Sequence, residues 1–136
     1  MKNIITFTDG GARGNPGPAA IGVVIKDNAQ TIEAFGRYIG ETTNNQAEYQ
    51  ALIAALEKVR DLGADEVWCN LDSELLVKQL NGEYKVKNRD LAPLFLKLHN
   101  LTLGFKKISF HHIPRARNSE ADAEVNKALD ARTITV

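Results

Sequence analysis

Three strand-like runs stand one after another before the first helix-forming segment of this sequence, and that order restricts what the chain can fold into. Asn3 to Asp9, Ala20 to Lys26 and Thr31 to Tyr38 are rich in β-branched and aromatic residues, with the turn-like Asp27-Asn28 between the last two. Short connections join antiparallel neighbours, so the three runs read as a meander. Helical periodicity begins only afterwards. Asn45 to Leu62 carries Leu52, Ala55, Leu56, Val59 and Leu62 on one face and stops at Gly63. Val67 to Leu71 is a short apolar run of the kind that forms a buried parallel strand. A short helix over Ser73 to Leu80, a basic loop from Tyr84 to Arg89 and a helix from about Leu91 to Leu103 follow. Lys107 to Ile113 reads as a strand, and Ser119 to about Ala131 as the last helix. The order predicts a mixed α/β sheet: three antiparallel strands, then strands added in parallel through right-handed crossovers.

The chain has 136 residues, enough for one core, so residues 1–136 are expected to form a single domain. A hydrophobic fraction of 43% with 25% charged residues excludes wholesale disorder. No apolar run approaches the ~18 residues of a membrane span, and Met1-Lys2-Asn3 leads straight into a strand rather than a signal peptide. Cys69 is the single cysteine, which favours a reducing compartment, and the expected location is the cytoplasm. The 17 basic and 17 acidic side chains cancel, so this is not a protein that coats nucleic acid by bulk charge. Any such binding must come from a local patch.

Ligands of mixed sheets gather at the carboxyl ends of central strands, and Asp9 and Asp72 stand at two such ends. Each also has a plain structural explanation. Asp9-Gly10 is a common turn dipeptide, and Asp72 is placed to cap the helix starting at Ser73. Glu48 falls on the stripe of Leu52 and Ala55, where a carboxylate is costly unless neutralised. Its alternative role is a capping box with Asn45 as N-cap. Asp122 is similarly divided between a box with Ser119 and a place beside the apolar line of Val125, Ala128 and Leu129. Together the four form a pattern. Two carboxylates come from strand ends and two from the first turns of helices that pack beside them. Such a cluster suits hard divalent cations, and two of them together can activate water and stabilise a leaving oxygen. His99, His111 and His112 lack zinc-like spacing, and no nucleophile elbow is present. The stretch Gly10 to Pro18 reads as a glycine-rich loop. It matches neither nucleotide-binding fingerprint, but its glycines would let backbone approach a sugar-phosphate chain closely.

These residues lie in four motifs: TDGGARGNPGPAAIG (8–22), TNNQAEYQAL (43–52), LDSELLV (71–77) and HIPRARNSEAD (112–122). In this order, and across nearly the whole chain, they resemble the type 1 ribonucleases H. The resemblance implies a five-stranded mixed sheet flanked by helices and two-metal cleavage of RNA paired with DNA. Mg²⁺ is the usual metal, with Mn²⁺ as a substitute. It assigns catalysis and metal binding to Asp9, Glu48, Asp72 and Asp122. It also implies contacts to the hybrid's minor groove from Gly10, Gly11, Asn15, Asn44, Asn45 and Gln46. Many members hold a histidine near the scissile phosphate. This sequence looks like the compact archaeal and bacterial subgroup in which an arginine substitutes. Arg115 is the expected assistant, Arg117 a substrate contact, and His112 a structural residue. The segment 82–89 holds only Lys85, Lys87 and Arg89 where other members carry a basic helical protrusion. Glu124, where members often have leucine, is expected to face solvent. No obligatory protein partner is implied. The rival readings are another carboxylate nuclease of the same superfold and a nucleic-acid-binding module that has lost catalysis.

Overall fold

A computed structural model describes residues 3–134. It contains the strands β1 (Asn3–Ala12), β2 (Gly17–Asp27), β3 (Gln30–Thr42), β4 (Glu66–Leu71) and β5 (Lys107–His112). The helices are α1 (Asn44–Asp61), α2 (Glu74–Leu80), α3 (Ala92–Thr102) and α4 (Ser119–Ile134), with a 3-10 turn at Arg115–Arg117. The sheet order is β3-β2-β1-β4-β5, antiparallel across β3, β2 and β1 and parallel across β1, β4 and β5. The mixed sheet expected from the sequence is the one observed. Residues 81–91 connect α2 to α3 without a helix, so there is no helical protrusion there.

Alternation along the strands divides the core between two faces. On one, Ile4, Ile21, Val23 and Val67 meet Leu52, Leu56 and Val59 of α1. On the other, Ala20 packs with Val125 and Leu129 of α4. Glycines let α4 settle directly on the strands. A Cβ at Gly22 would fall 2.0 Å from the Ala121 carbonyl oxygen, and one at Gly36 would fall 2.2 Å from that of Glu124. Glu124 is therefore not solvent-facing as expected: only 17% of its side chain is exposed, and it pairs with Lys127. Among the described residues, no helix is long and apolar enough to cross a membrane.

Several boundaries differ from the sequence expectation. β1 continues through Gly10 and Gly11 to Ala12, pairing Asp9 with Gly22 and Ala12 with Ala19. The expected loop from Gly10 to Pro18 shrinks to residues 13–16, and Asp9 is a strand residue, not a turn residue. β3 runs to Thr42, passing a positive-φ glycine at Gly40 (φ 86°). Thr43, not Asn45, caps α1, its hydroxyl accepting from the Gln46 N–H at 3.2 Å. Glu48 thus lies beyond the capping box, which would place Gln46 at its third helical position. Ser73, not Asp72, caps α2, accepting from the Leu76 N–H at 3.3 Å. Ser119 is already helical, and the carbonyl of Asn118 before it accepts from the Asp122 N–H at 3.1 Å.

Candidate active site

With their structural roles taken by neighbours, the acids are left for something else. Asp9 projects from β1 on the side that α4 covers, and Asp72 follows β4 on the adjoining column. Glu48 reaches them from α1, and its Oε1 accepts from the Gly10 N–H at 3.0 Å. Carboxylate oxygens of these three residues lie within 4.8 Å of one another. Asp9 is 6% exposed and Glu48 9%, so water screens their repulsion poorly. Asp122, on the first turn of α4, lies outside that tight set but hydrogen-bonds Asp9, and its Oδ2 accepts from Asn126 Nδ2 at 3.4 Å. The cleft measures ≈ 580 Å³, and Gly11, Asn44, Asn45 and Arg115 line it together with the four acids.

Burial is the largest force on the titration of this cluster. It lifts Asp9, and the hydrogen bond and charge of Glu48, the charge of Asp72 and the bond to Asp122 lift it further, to about 9. Burial also raises Glu48, to about 7, against the pull of the hydrogen bonds from Asp9 and the Gly10 N–H and of the Arg115 charge. Asp9 and Glu48 titrate as a pair in which a proton is held at neutral pH. A site that retains a proton for want of positive charge is one that a cation would relieve. The donor set is oxygen only, which fits a hard divalent cation.

Asp72 is held by a residue that no sequence pattern singles out. Asn118 is 1% exposed, and its Nδ2 donates to the Thr8 carbonyl at 2.8 Å and to Asp72 Oδ2 at 3.1 Å. An asparagine ahead of a helix ordinarily reads as a cap, and that masks this role.

The expected substrate-contact residues fall into three groups. Gly11 lines the cleft unobstructed, since an added Cβ would meet only Val125 Cγ1 at 3.6 Å. Gly10 is different. A Cβ there would sit 2.2 Å from the Ala47 carbonyl carbon, and its amide is already given to Glu48, so its glycine serves the approach of α1. Asn15, Asn44 and Gln46 spend their carbonyl oxygens internally. Asn44 Oδ1 accepts from the Ala12 N–H at 2.8 Å, Asn15 Oδ1 from the Asn44 N–H at 3.0 Å, and Gln46 Oε1 from the Thr42 hydroxyl. They bind the start of α1 to the β1–β2 turn, and Asn45 stays exposed beside them. Arg115 and Arg117 separate: Arg115 lines the carboxylate cleft, whereas Arg117 lines another groove with His112. His112 is exposed at the end of β5 and does not line the carboxylate cleft.

The family described as reverse transcriptase-like matches residues 7–128. The ribonuclease H of Alcanivorax borkumensis is 49% identical, with 96% of this chain and 93% of that protein covered. Among solved structures, the ribonuclease H1 of the halophilic archaeon Halobacterium salinarum superposes with a TM-score of 0.92 at 44% identity, covering 95% of this chain and 98% of that one. LC11-RNase H1, solved in complex with an RNA/DNA hybrid, gives 0.91 at 49% identity over 96% and 99%. Mycobacterial relatives at 44% identity are longer proteins, and the chain spans 36% of their length.

Proposed function

The chain belongs to the type 1 ribonuclease H family, and on that premise we propose that it hydrolyses the RNA strand of RNA–DNA hybrids. The cuts are internal and leave 5′-phosphate and 3′-hydroxyl ends. Residues 1–136 act as one catalytic domain, in the cytoplasm and without an obligatory protein partner. The observation that carries this reading is the cluster of Asp9, Glu48 and Asp72, whose carboxylate oxygens lie within 4.8 Å of one another with Asp9 and Glu48 buried. With Asp122 they would hold two Mg²⁺ ions, or Mn²⁺ in their place. Such ions supply an activated water and neutralise charge on the leaving oxygen.

The chain's own residues supply position and specificity. Arg115 presents a guanidinium to the cleft, where its planar fork can take two phosphate oxygens and orient the scissile group. Asn118 holds Asp72 in register with Asp9. Gly11 admits the sugar edge, and the amides of Asn44 and Asn45 donate to 2′-hydroxyls in the wide, shallow minor groove, with Asn15 and Gln46 setting their frame. Arg117 contacts the strand beyond the cleft. Contacts of this kind read sugars and groove shape, so sequence preference should be slight.

The test is a DNA duplex carrying internal ribonucleotide runs of varied length, incubated with and without Mg²⁺. Cleavage is expected only within or beside a run of several ribonucleotides, and it should vanish with a chelator. Asp9→Asn or Asp72→Asn should lower the rate by orders of magnitude while hybrid binding survives. Equal cutting of all-DNA duplex would favour the general nuclease, and hybrid binding without cleavage by the wild type would favour the inactive module.

A further inference from the structure

The sheet face that bears Asp9 and Asp72 extends past the cleft. α4 packs on β1, β2 and β3, and among the described residues no helix packs as closely on the same face of β4 and β5, where Trp68 is 50% exposed. Alternation puts Trp68 and Asn70 on the side of Asp72, and Ile5 and Phe7 on the side of Asp9. Trp68 stands opposite Ile5 on one side and Ser109 on the other, with His111 opposite Asn70.

Two rings form the floor. Trp68 and His111 stack at 3.6 Å between centroids with 11° between planes. Both are pinned. The indole Nε1–H donates to Asn70 Oδ1 at 3.1 Å, and His111 Nε2 bonds Ser109 Oγ at 2.8 Å. A half-exposed, pre-ordered aromatic surface loses little rotamer freedom when a further ring stacks on it. The groove around it measures ≈ 910 Å³. Lys107 lines its far end beside Glu66, and the two oppose each other in charge. The cation at the cleft end is Arg117. The segment Ile113–Asn118 crosses between groove and cleft, turning Arg115 to one and Arg117 to the other.

We propose that this groove is a stacking platform for unpaired bases of a nucleic-acid strand leaving the cleft, that is, for a single-stranded flank of the hybrid. The proposal rests on the ribonuclease reading of the cleft. The chemistry is that of sequence-tolerant single-strand binding: aromatic faces for bases, and cations where the backbone passes. The distance is suitable. Trp68 lies four residues from Asp72 along one strand, about 13 Å, or about four stacked nucleotides at ~3.4 Å each.

Trp68 is the protein's single tryptophan, so its emission reports on the platform directly. A single-stranded thymidine octamer, which is not a substrate, should quench that emission saturably and less tightly as salt rises. His111→Ala should weaken the octamer by about fivefold or more. A hybrid with a single-stranded DNA overhang should bind several-fold tighter than a blunt one. Trp68→Leu should erase that difference while blunt hybrid is still cut at the wild-type rate. Thermal melts of both variants separate lost binding from lost folding, and the wild-type titration needs no variant. Emission indifferent to the octamer, or an overhang advantage that survives Trp68→Leu, would overturn the platform. So would an emission that shifts with protein concentration alone, which would give this face to a second copy of the chain. A wild type that leaves blunt hybrid uncut would sink the ribonuclease reading instead, and the octamer titration is read independently of it.

Discussion

Asn118 shows how much one side chain can decide in a connecting segment. Its amide nitrogen has two hydrogens, and both are committed: one to the Thr8 carbonyl and one to Asp72. Asn118→Ala leaves that buried carbonyl without its partner at a cost of about 1–3 kcal/mol, or about 3–5 °C in Tm per kcal/mol at this chain length. It also frees the Asp72 carboxylate to swing. The expected outcome is a kcat at least tenfold lower at saturating Mg²⁺, with the KM for hybrid unchanged because Asn118 touches no substrate. A lower Tm with kcat intact would leave Asn118 a purely structural residue. The acids around it are legible because each is anomalous in sequence: Glu48 is a carboxylate on an apolar stripe, and Asp9 closes an apolar strand-like run ahead of two glycines. Asn118 was not, since its pattern is that of an ordinary cap. The same rule misdirected the readings of Asp72 and of Asn45. Ser73 and Thr43 stood one and two residues away from them, and either type of neighbour serves equally well as a cap.

At the scale of elements, strands and helices were readable wherever the hydrophobic period was clean, and lost where glycine interrupted it. β1 was cut short at Asp9 because Gly10-Gly11 looks like a loop in sequence. The ladder continues through them because both glycines sit under helices, Gly10 against α1 and Gly11 near α4. The two make a matched experiment. In Gly10→Ala the new methyl would lie 2.2 Å from the Ala47 carbonyl carbon, which is backbone and cannot rotate away. α1 must shift and carry Glu48 with it, so the variant should lose about 1–3 kcal/mol or more together with most of its activity. In Gly11→Ala the methyl meets Val125 at an ordinary 3.6 Å. Its Tm should stay at the wild-type value while the KM for hybrid rises, because Gly11 faces the cleft. Melting curves and steady-state kinetics on the pair decide it: equal stability loss in both would refute the division between packing and substrate roles.

For the molecule as a whole, the buried carboxylates make folding oppose pH in a defined window. Asp9 and Glu48 both titrate above their ordinary values of 3.8 and 4.5. A group raised in the folded state binds its proton more tightly there than in the unfolded chain. Its contribution to stability is complete below the ordinary value and is lost as pH rises through the folded one, about 7 for Glu48 and about 9 for Asp9. Two other groups, half-buried His111 and buried Cys69, bracket this effect. Burial holds His111 below 6.5, so it favours folding as pH rises towards that value. Cys69 is pushed up to about 12 from 9.0 and adds its own loss only near and above pH 9. Between pH 6.5 and 8.5 the slope belongs to Asp9 and Glu48. In the presence of chelator, Tm should fall across that window. Asp9→Asn should flatten the fall and melt above the wild type at pH 8.5, because the substitution removes the charge the site cannot hold alone. Mg²⁺ should reverse the order. It binds the ionised oxygens, so its stabilisation of the wild type should grow with pH as fewer protons must leave. That gain should be largely absent in Asp9→Asn. A chelated wild type whose Tm is flat or rises from pH 6.5 to 8.5 would show that the trio is not short of positive charge. The argument for cations in this cleft would then lose its physical basis.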